Sequence, residues 1–194
     1  MTSHMVGSPT EATLDGERVV LEPIVPAHAD VLYDALQAPQ LYTFIPHMPP
    51  LSKETLRERY TRWEARSSPD GAEVWLNYAV RDVSNASYVG TAQATIGAPC
   101  AETYIAYEVF PPFWRRGLAR AACERLLGHL FANWAIDRVR ALVDTRNVAS
   151  WRLLESLRFR RIDLIPNADH FKGAPSDEFV YELGRPNSDT DTTT

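Results

Sequence analysis

Four residues suited to anion binding lie close together in this 194-residue chain: Arg115, Arg116, Gly117 and Arg120. A β-branched and aromatic segment at 103–109 precedes them and predicts a strand, and apolar residues at helical spacing predict a helix over 117–134. The first N–H groups of a helix have no internal partner and carry partial positive charge. Glycine lets a ligand approach the backbone closely. The pattern predicts a cradle for a diphosphate, with a solvated arginine-rich face as the alternative.

Two other phosphate-binding motifs do not fit this stretch. The Gly-Lys-Ser/Thr ending of a P-loop is missing, and a single glycine is too few for the dinucleotide fingerprint.

Two segments instead resemble signatures of the GNAT superfamily of N-acetyltransferases. Trp114-Arg-Arg-Gly-Leu-Ala119 is similar to its pyrophosphate-binding loop, Gln/Arg-x-x-Gly-x-Gly/Ala. The RimJ/RimL-like ribosomal-protein branch often has an aromatic residue at the position of Trp114. Residues 144–159 are similar to the Asn-x-x-Ser helix of that branch, with Arg158 in place of its usual glycine. By this resemblance the chain is identified as a RimJ/RimL-like member of the superfamily.

The resemblance implies a mixed α/β fold with a central, mostly antiparallel sheet, helices on both faces and a splayed pair of strands. The strands at 103–109 and 138–145 would form that pair, and acetyl-CoA would lie in the opening. The backbone groups of Val109 would lack ladder partners there and bond the pantetheine. The diphosphate would be held by the loop and first helical turn: Arg115, Arg116, Gly117, Leu118, Ala119 and Arg120.

Acetyl transfer to an amine needs a base, because alkyl amines are protonated below about pH 10. It also needs an acid or a hydrogen-bond donor for the leaving thiolate. By resemblance, Ser150 is expected to donate to the leaving thiolate and Asn147 to hold the pantetheine; an N-cap and a first-turn serine are the alternative. Strand alternation makes Glu108 the candidate base, and Glu73 on a neighbouring strand is a second. A solvated surface charge is the alternative for both. The N–H of Val109 suits a developing oxyanion.

The acceptor pocket is expected around the loops at 40–50 and 166–177, because the two early helices and their loop form one pocket wall in the family. Tyr42, Phe44 and His47 are therefore candidates for substrate contact, with aromatic packing as the alternative. The acceptor is predicted to be a primary amine, either a protein N-terminus or a small amine. A module that only binds acyl-CoA, as a sensor or scaffold, is the alternative function.

Composition excludes several other classes. Residues 111–161 carry eleven arginines and four acidic residues, a net charge of +7, so the remainder carries −12 of the total of −5. This division suits a polyanionic cofactor and a cationic acceptor, and the negative total disfavours nucleic acid. No apolar run approaches the ~18 residues of a membrane span, and no signal peptide is evident. Cys100 and Cys123 suit reduced thiols in the cytoplasm, and the five histidines lack metal-ligand spacing. A homodimer is possible by resemblance.

The chain is predicted to contain a flexible N-terminus (1–16), one GNAT domain (17–183) and a disordered tail (184–194). The predicted strands are 18–23, 74–81, 88–96, 103–109, 138–145, 159–165 and 179–183. The predicted helices are 26–36, 53–67, 117–134 and 148–157, with Ser52 and Asn147 as N-caps of the second and fourth.

Overall fold

The computed structural model describes residues 12–97 and 102–186. Within these residues eight strands form one sheet: β1 Leu14–Asp15, β2 Val19–Pro23, β3 Glu73–Asp82, β4 Tyr88–Gly97, β5 Thr103–Val109, β6 Arg138–Asp144, β7 Arg160–Phe171 and β8 Ala174–Gly184. The α-helices of the same residues are α1 His28–Leu32, α2 Lys53–Glu64, α3 Leu118–Asn133 and α4 Val148–Ser156. The strand order is β1-β2-β3-β4-β5-β6-β8-β7. Every neighbouring pair is antiparallel except β5 and β6, so the predicted mixed, mostly antiparallel sheet is confirmed.

Helices cover both faces of this sheet, as predicted. One core contains the apolar side of α3, where Leu118, Ala122, Leu126 and Leu130 recur every four residues and pack on the strands. The other core joins α1 and α2 to the opposite face of the sheet, with Tyr60 at its centre. The predicted N-cap of α2 is present, because the Ser52 hydroxyl accepts a hydrogen bond from the N–H of Thr55.

β5 and β6 separate after a short paired stretch. The register between them consists of one pair, Tyr104 opposite Arg140. By contrast, β5 stays paired with β4 as far as Val109. The gap therefore opens toward the C-terminal ends of both strands, which is the splayed pair that the family resemblance implied.

The hydrogen-bond pattern identifies the backbone groups that face this gap. In an antiparallel pair, successive residues alternate between bonding to the neighbouring strand and pointing away from it. Phe110 N donates to the Val89 carbonyl at 2.8 Å. The even-numbered residues of β5 therefore bond to β4, and the odd-numbered ones face β6. Tyr107 and Val109 direct their N–H and C=O groups into the gap.

The C-terminal part differs from the prediction of a loop at 166–177. β7 continues to Phe171 and β8 begins at Ala174, so a hairpin replaces the loop. Its turn is Lys172-Gly173, with positive φ at both residues (53° and 77°). Such a turn is usually signalled by Asn-Gly, and lysine rarely adopts positive φ. The residue types of this turn therefore did not indicate a hairpin. Two register shifts interrupt the hairpin and bend it.

The early helix is also shorter than predicted. Instead of one helix over 26–36, α1 ends at Leu32, and two 3₁₀ turns follow at Ala35–Gln37 and Pro39–Tyr42. The second overlaps the start of the predicted loop at 40–50. The proposed segment limits at 16 and 184 remain predictions, because residues 1–11 and 187–194 lie outside the described part. Within it, Leu14–Asp15 forms β1 and Gly184 is the last residue of β8.

Candidate active site

The N-terminus of α3 has the structure expected of an anion cradle. Gly117 is its N-cap and has a left-handed backbone, φ 74°, and no side chain caps the helix. The first intrahelical bond runs from Ala121 N to the Gly117 carbonyl at 3.1 Å. The N–H groups of Leu118, Ala119 and Arg120 precede that bond, so the helix itself offers them no acceptor.

Positive charge surrounds this helix start unequally. Arg115 and Arg116 are exposed, and the Arg116 guanidinium lies 5.7 Å from the centre of the Phe113 ring. The Arg120 Nε donates to Glu124 at 2.8 Å, so a carboxylate offsets its charge. Of the three arginines expected at the cradle, Arg115 and Arg116 therefore contribute their full charge, whereas the charge of Arg120 is partly neutralised.

Sequence reasoning missed a fourth arginine at this place. Arg18, just before β2, donates from Nη2 to the backbone carbonyl of Arg116 at 2.7 Å. Its Nη1 would lie 2.8 Å from a Cβ added at Gly117. The Arg18 side chain therefore fills the space that the missing side chain of Gly117 leaves. No local signal links residues 98 positions apart.

The backbone of Val109 is only partly as predicted. Its carbonyl accepts a hydrogen bond from Trp114 Nε1 at 2.5 Å, so that group is not left without a partner. Its N–H points into the gap between β5 and β6. Trp114, the aromatic residue at the start of the loop motif, thus ties the basic turn to the last residue of β5.

The start of α4 lies across the gap and is fixed by a buried carboxylate. Asn147 caps the helix, because its side-chain oxygen accepts from Ser150 N at 3.2 Å. Asn147 N donates to the carbonyl of Asp144, whose side chain binds Arg146 at 2.6 Å and Ser176 at 2.6 Å. Burial alone would raise the pKa of Asp144, but these hydrogen bonds outweigh it and lower that pKa.

Ser150 has a partner that the sequence did not suggest. The Tyr107 hydroxyl of β5 lies 2.9 Å from Ser150 Oγ and 3.2 Å from the Ser150 carbonyl oxygen. Burial raises the pKa of Tyr107 well above its ordinary value. A tyrosine on β5 therefore reaches the first turn of α4.

Glu108 lies on the opposite face of the sheet, next to the core of α1 and α2. Its carboxylate accepts a hydrogen bond from Thr91 Oγ1 at 3.1 Å. Burial raises the pKa of Glu108, although the Thr91 bond and the charge of Arg59 act against the rise. A carboxyl group with a raised pKa beside a gap in the sheet has the properties of a general base.

Tyr42 is the acceptor-side candidate that the structure brings near Glu108. Its hydroxyl donates to the Leu36 carbonyl at 2.8 Å, and burial together with the Glu108 charge raises its pKa to about 12. Lys172 of the β7–β8 hairpin donates to the Tyr42 carbonyl and so connects the two predicted pocket segments. Phe44 is half-buried and His47 is exposed.

Glu73 does not join this group. Glu108 pairs with Thr91, which pairs with Ala79 of β3. Glu73 precedes Ala79 by six residues on β3, a separation of ~20 Å along a strand. Its carboxylate instead accepts from Trp75 Nε1 at 2.8 Å.

A cavity of about 440 Å³ adjoins the end of β5 on the Glu108 face. Its walls come from the 3₁₀ turns after α1 and from the segment between β5 and α3, and the lining residues include Asp34, Gln37, Gln40, Phe110 and Phe113. The lining is mainly apolar with a few polar groups, as is usual for small-ligand sites.

Among the described residues no cluster of three or more His, Cys, Asp or Glu side chains is arranged to hold a metal ion. None of the described helices is both long and apolar enough to cross a bilayer. Cys123 is a buried free thiol, and Cys100 lies outside the described residues.

This splayed sheet, with an uncapped and arginine-flanked helix at its opening, defines the class of fold. The chain belongs to the GNAT acetyltransferase family, because the family model described as "Acetyltransferase (GNAT) domain" matches residues 18–160. A curated relative, the uncharacterized N-acetyltransferase YoaA of Bacillus subtilis, is 32% identical over 82 residues. That alignment covers 42% of this chain and 46% of the relative, so the chain spans less than half of that relative's length.

Solved structures share the fold over most of their length. RimL, a ribosomal L7/L12 alpha-N-protein acetyltransferase in complex with coenzyme A, matches with a TM-score of 0.79 at 16% identity, covering 89% of this chain and 98% of that one. The ribosomal-protein-S5-alanine acetyltransferase of Vibrio fischeri matches with a TM-score of 0.77 at 16% identity, covering 93% and 100%. At these identities the likeness establishes the fold alone.

Proposed function

We propose that this protein is an acetyl-CoA-dependent N-acetyltransferase that acts on a primary amine in a ternary complex. The observation that carries the proposal is the meeting of three features at the open end of β5. These are the Val109 N–H in the gap, the uncapped N-terminus of α3, and the Glu108 carboxylate on the acceptor face.

The residues present fit coenzyme A. A diphosphate needs N–H donors and positive charge, and the first turn of α3 with Arg115 and Arg116 offers both. Leu118, Ala119 and Arg120 would bind it through backbone N–H groups. The Val109 N–H would serve the pantetheine amides in the manner of an added strand, and Asn147 would border them from α4.

Bound acetyl-CoA supplies the acetyl thioester: the amine nitrogen bonds to the carbonyl carbon, the carbon–sulfur bond breaks, and free thiol and amide result. Glu108 accepts the proton of the amine, directly or through water, and its raised pKa makes it a stronger base than an ordinary carboxylate. The Val109 N–H stabilises the oxyanion, and the Ser150 hydroxyl donates to the departing sulfur. Glu73 lies too far along β3 to take part.

The acceptor is a primary amine whose body occupies the cavity beside Phe110. Asp34 in its wall favours a cationic group, and the apolar lining favours a carbon-rich body. A protein N-terminus and a small amine both meet this description. We place the reaction in the cytoplasm, where a buried free thiol such as Cys123 stays reduced.

The test is release of free thiol from acetyl-CoA across a panel of primary amines that includes peptides with free N-termini. Glu108→Gln should lower kcat/KM by about 10²-fold or more. Glu73→Gln is the matched control and should leave kcat/KM unchanged. Equal losses in the two variants would contradict the assignment of the base. Binding of coenzyme A without turnover of any amine would favour a module that only binds acyl-CoA.

A further inference from the structure

The hydroxyl groups of Tyr107 and Ser150 form a pair that links β5 to α4 across the gap. Their oxygens lie 2.9 Å apart, and the Tyr107 hydroxyl is also 3.2 Å from the Ser150 carbonyl oxygen. We propose that Tyr107 is a positioning residue that holds the Ser150 hydroxyl with its hydrogen directed at the sulfur of coenzyme A. This inference rests on the proposed function.

The Ser150 side chain points toward Tyr107 and not toward its own helix. A serine inside a helix commonly donates back to a carbonyl in the preceding turn. Ser156 of the same helix does so, with Oγ 2.7 Å from the Leu153 carbonyl. Ser150 Oγ instead turns to Tyr107. The helix therefore does not determine this orientation, and the strand residue does.

The Tyr107 and Ser150 hydroxyls can share their two hydrogens in more than one way. Each hydroxyl has one hydrogen and can accept others. If Tyr107 donates to Ser150 Oγ, the serine hydrogen remains for a third group. If Tyr107 donates to the Ser150 carbonyl, the serine hydrogen can go to the tyrosine. An anionic sulfur in the gap selects the first arrangement, because hydrogen bonds to a charged acceptor are about twice as strong as neutral ones.

The surroundings of Tyr107 keep the phenol neutral and fixed. Its backbone faces the gap, while its side chain packs against the core of α3 and α4. Cys123 of α3 is the titratable group facing it in that core, and burial raises the pKa of this thiol too, so both remain protonated. Neither the Tyr107 phenol nor the Cys123 thiol is therefore an anionic acceptor that would draw the Ser150 hydrogen away from the sulfur.

Binding of coenzyme A as a function of pH tests this without any acceptor. Free thiols ionise near a pKa of about 8.5. A site that donates to the thiolate binds coenzyme A more tightly as pH rises through that value. Desulfo-coenzyme A lacks the thiol, so the ratio of the two affinities cancels every other titration. For the wild-type protein the ratio should rise about tenfold between about pH 7 and about pH 9.5.

Three variants assign the effect. Tyr107→Phe and Ser150→Ala should each keep desulfo-coenzyme A affinity within about twofold and abolish most of the rise in the ratio. The double variant should equal Ser150→Ala, because Tyr107 acts through the serine. Tyr181→Phe is the matched control, since the Tyr181 hydroxyl also bonds α4, at Glu155 (3.0 Å), without touching Ser150. It should retain the full rise.

A rise that persists in Tyr107→Phe would overturn the inference, and so would a flat ratio in the wild-type protein that binds both ligands. Failure of the wild-type protein to bind coenzyme A at all would instead overturn the proposed function. Ser150→Thr keeps a hydroxyl and should recover the rise. Thermal unfolding of each variant identifies any that fails to fold, and Ser150→Ala alone then decides whether the serine donates to the sulfur.

Discussion

Trp114 Nε1 donates a hydrogen bond of 2.5 Å to the backbone carbonyl of Val109. This bond joins the turn that presents the arginines to the strand that carries the proposed oxyanion donor, the Val109 N–H. Because the Val109 carbonyl is held, the peptide unit between Val109 and Phe110, next to the Val109 N–H, is fixed in orientation. One hydrogen bond thus links the proposed diphosphate site to the proposed thioester site.

Loss of this bond should weaken coenzyme A binding without unfolding the protein. Trp114→Phe keeps a ring on a side chain that is 47% exposed, but it removes the donor. We expect an affinity loss of about fivefold, the effect of one hydrogen bond of about 1 kcal/mol, and little change in Tm. Trp75→Phe is the matched control, because Trp75 Nε1 bonds Glu73 at the far end of β3. Equal affinity losses in both variants would contradict this role of Trp114.

Gly117 should be sensitive to substitution, for two separable reasons. Its φ of 74° strains any other residue, and an added Cβ would lie 2.8 Å from Arg18 Nη1. Gly117→Ala should weaken coenzyme A binding by about tenfold or more, roughly 1.4 kcal/mol. Gly71→Ala has the same backbone strain at φ 71° with no atom within 4 Å, so it should lower Tm alone. Unchanged affinity in Gly117→Ala would refute the cradle.

Arg18 should matter to the turn although it is distant in sequence. Arg18→Ala removes the hydrogen bond to the Arg116 carbonyl and a positive charge near the diphosphate. We expect coenzyme A affinity to fall about tenfold and its salt dependence to become shallower. Arg57→Ala removes a surface arginine paired with Asp30 and Glu54, and should leave both quantities unchanged. An effect of the same size in the two variants would indicate general electrostatics.

Glu108 should show a trade of stability for activity. Because its folded-state pKa is raised, the folded protein binds this proton more tightly than the unfolded chain, and stability falls as pH rises from about 4.5 through the raised pKa. Glu108→Gln removes that charge, so its Tm should equal or exceed that of the wild type at neutral pH while activity is lost. The Tm advantage should shrink in acid. A lower Tm at neutral pH would show that the carboxylate stabilises the fold.

Asp144 should have the opposite pH dependence. Because its pKa is lowered in the folded protein, the ionised carboxylate stabilises the fold at any pH above the pKa of the unfolded chain. This contribution is lost as pH falls through the lowered pKa. Asp144→Asn should destabilise the protein by about 1–3 kcal/mol at neutral pH and weaken coenzyme A binding through the α4 N-terminus. Chemical denaturation at several pH values measures this, with Asp137→Asn as control. A constant difference down to the acid limit would contradict the assigned charge.

Local patterns predicted much of this fold. The strand at Thr103–Val109, the helix that follows Gly117 and the Asn147 cap each depend on neighbouring residues, and their elements lie where expected. The β7–β8 hairpin escaped prediction because its Lys172-Gly173 turn adopts positive φ at lysine, and such a conformation is imposed by the strands on either side.

The site was less predictable, because its decisive contacts join distant residues. Arg18 reaches Arg116 and Tyr107 reaches Ser150 only after the sheet has formed. Glu73 and Glu108 look equivalent as strand carboxylates, and only the register separates them. Motif resemblance predicted the cradle at the start of α3, whereas the contacts of Arg18 and Tyr107 required the tertiary structure.

A crystal structure of the protein with bound coenzyme A would show directly whether the ligand occupies the β5–β6 gap. We expect the diphosphate at the N–H groups of Leu118, Ala119 and Arg120, and a pantetheine amide within hydrogen-bond distance of the Val109 N–H. Coenzyme A bound elsewhere, with the β5–β6 gap empty, would contradict this expectation.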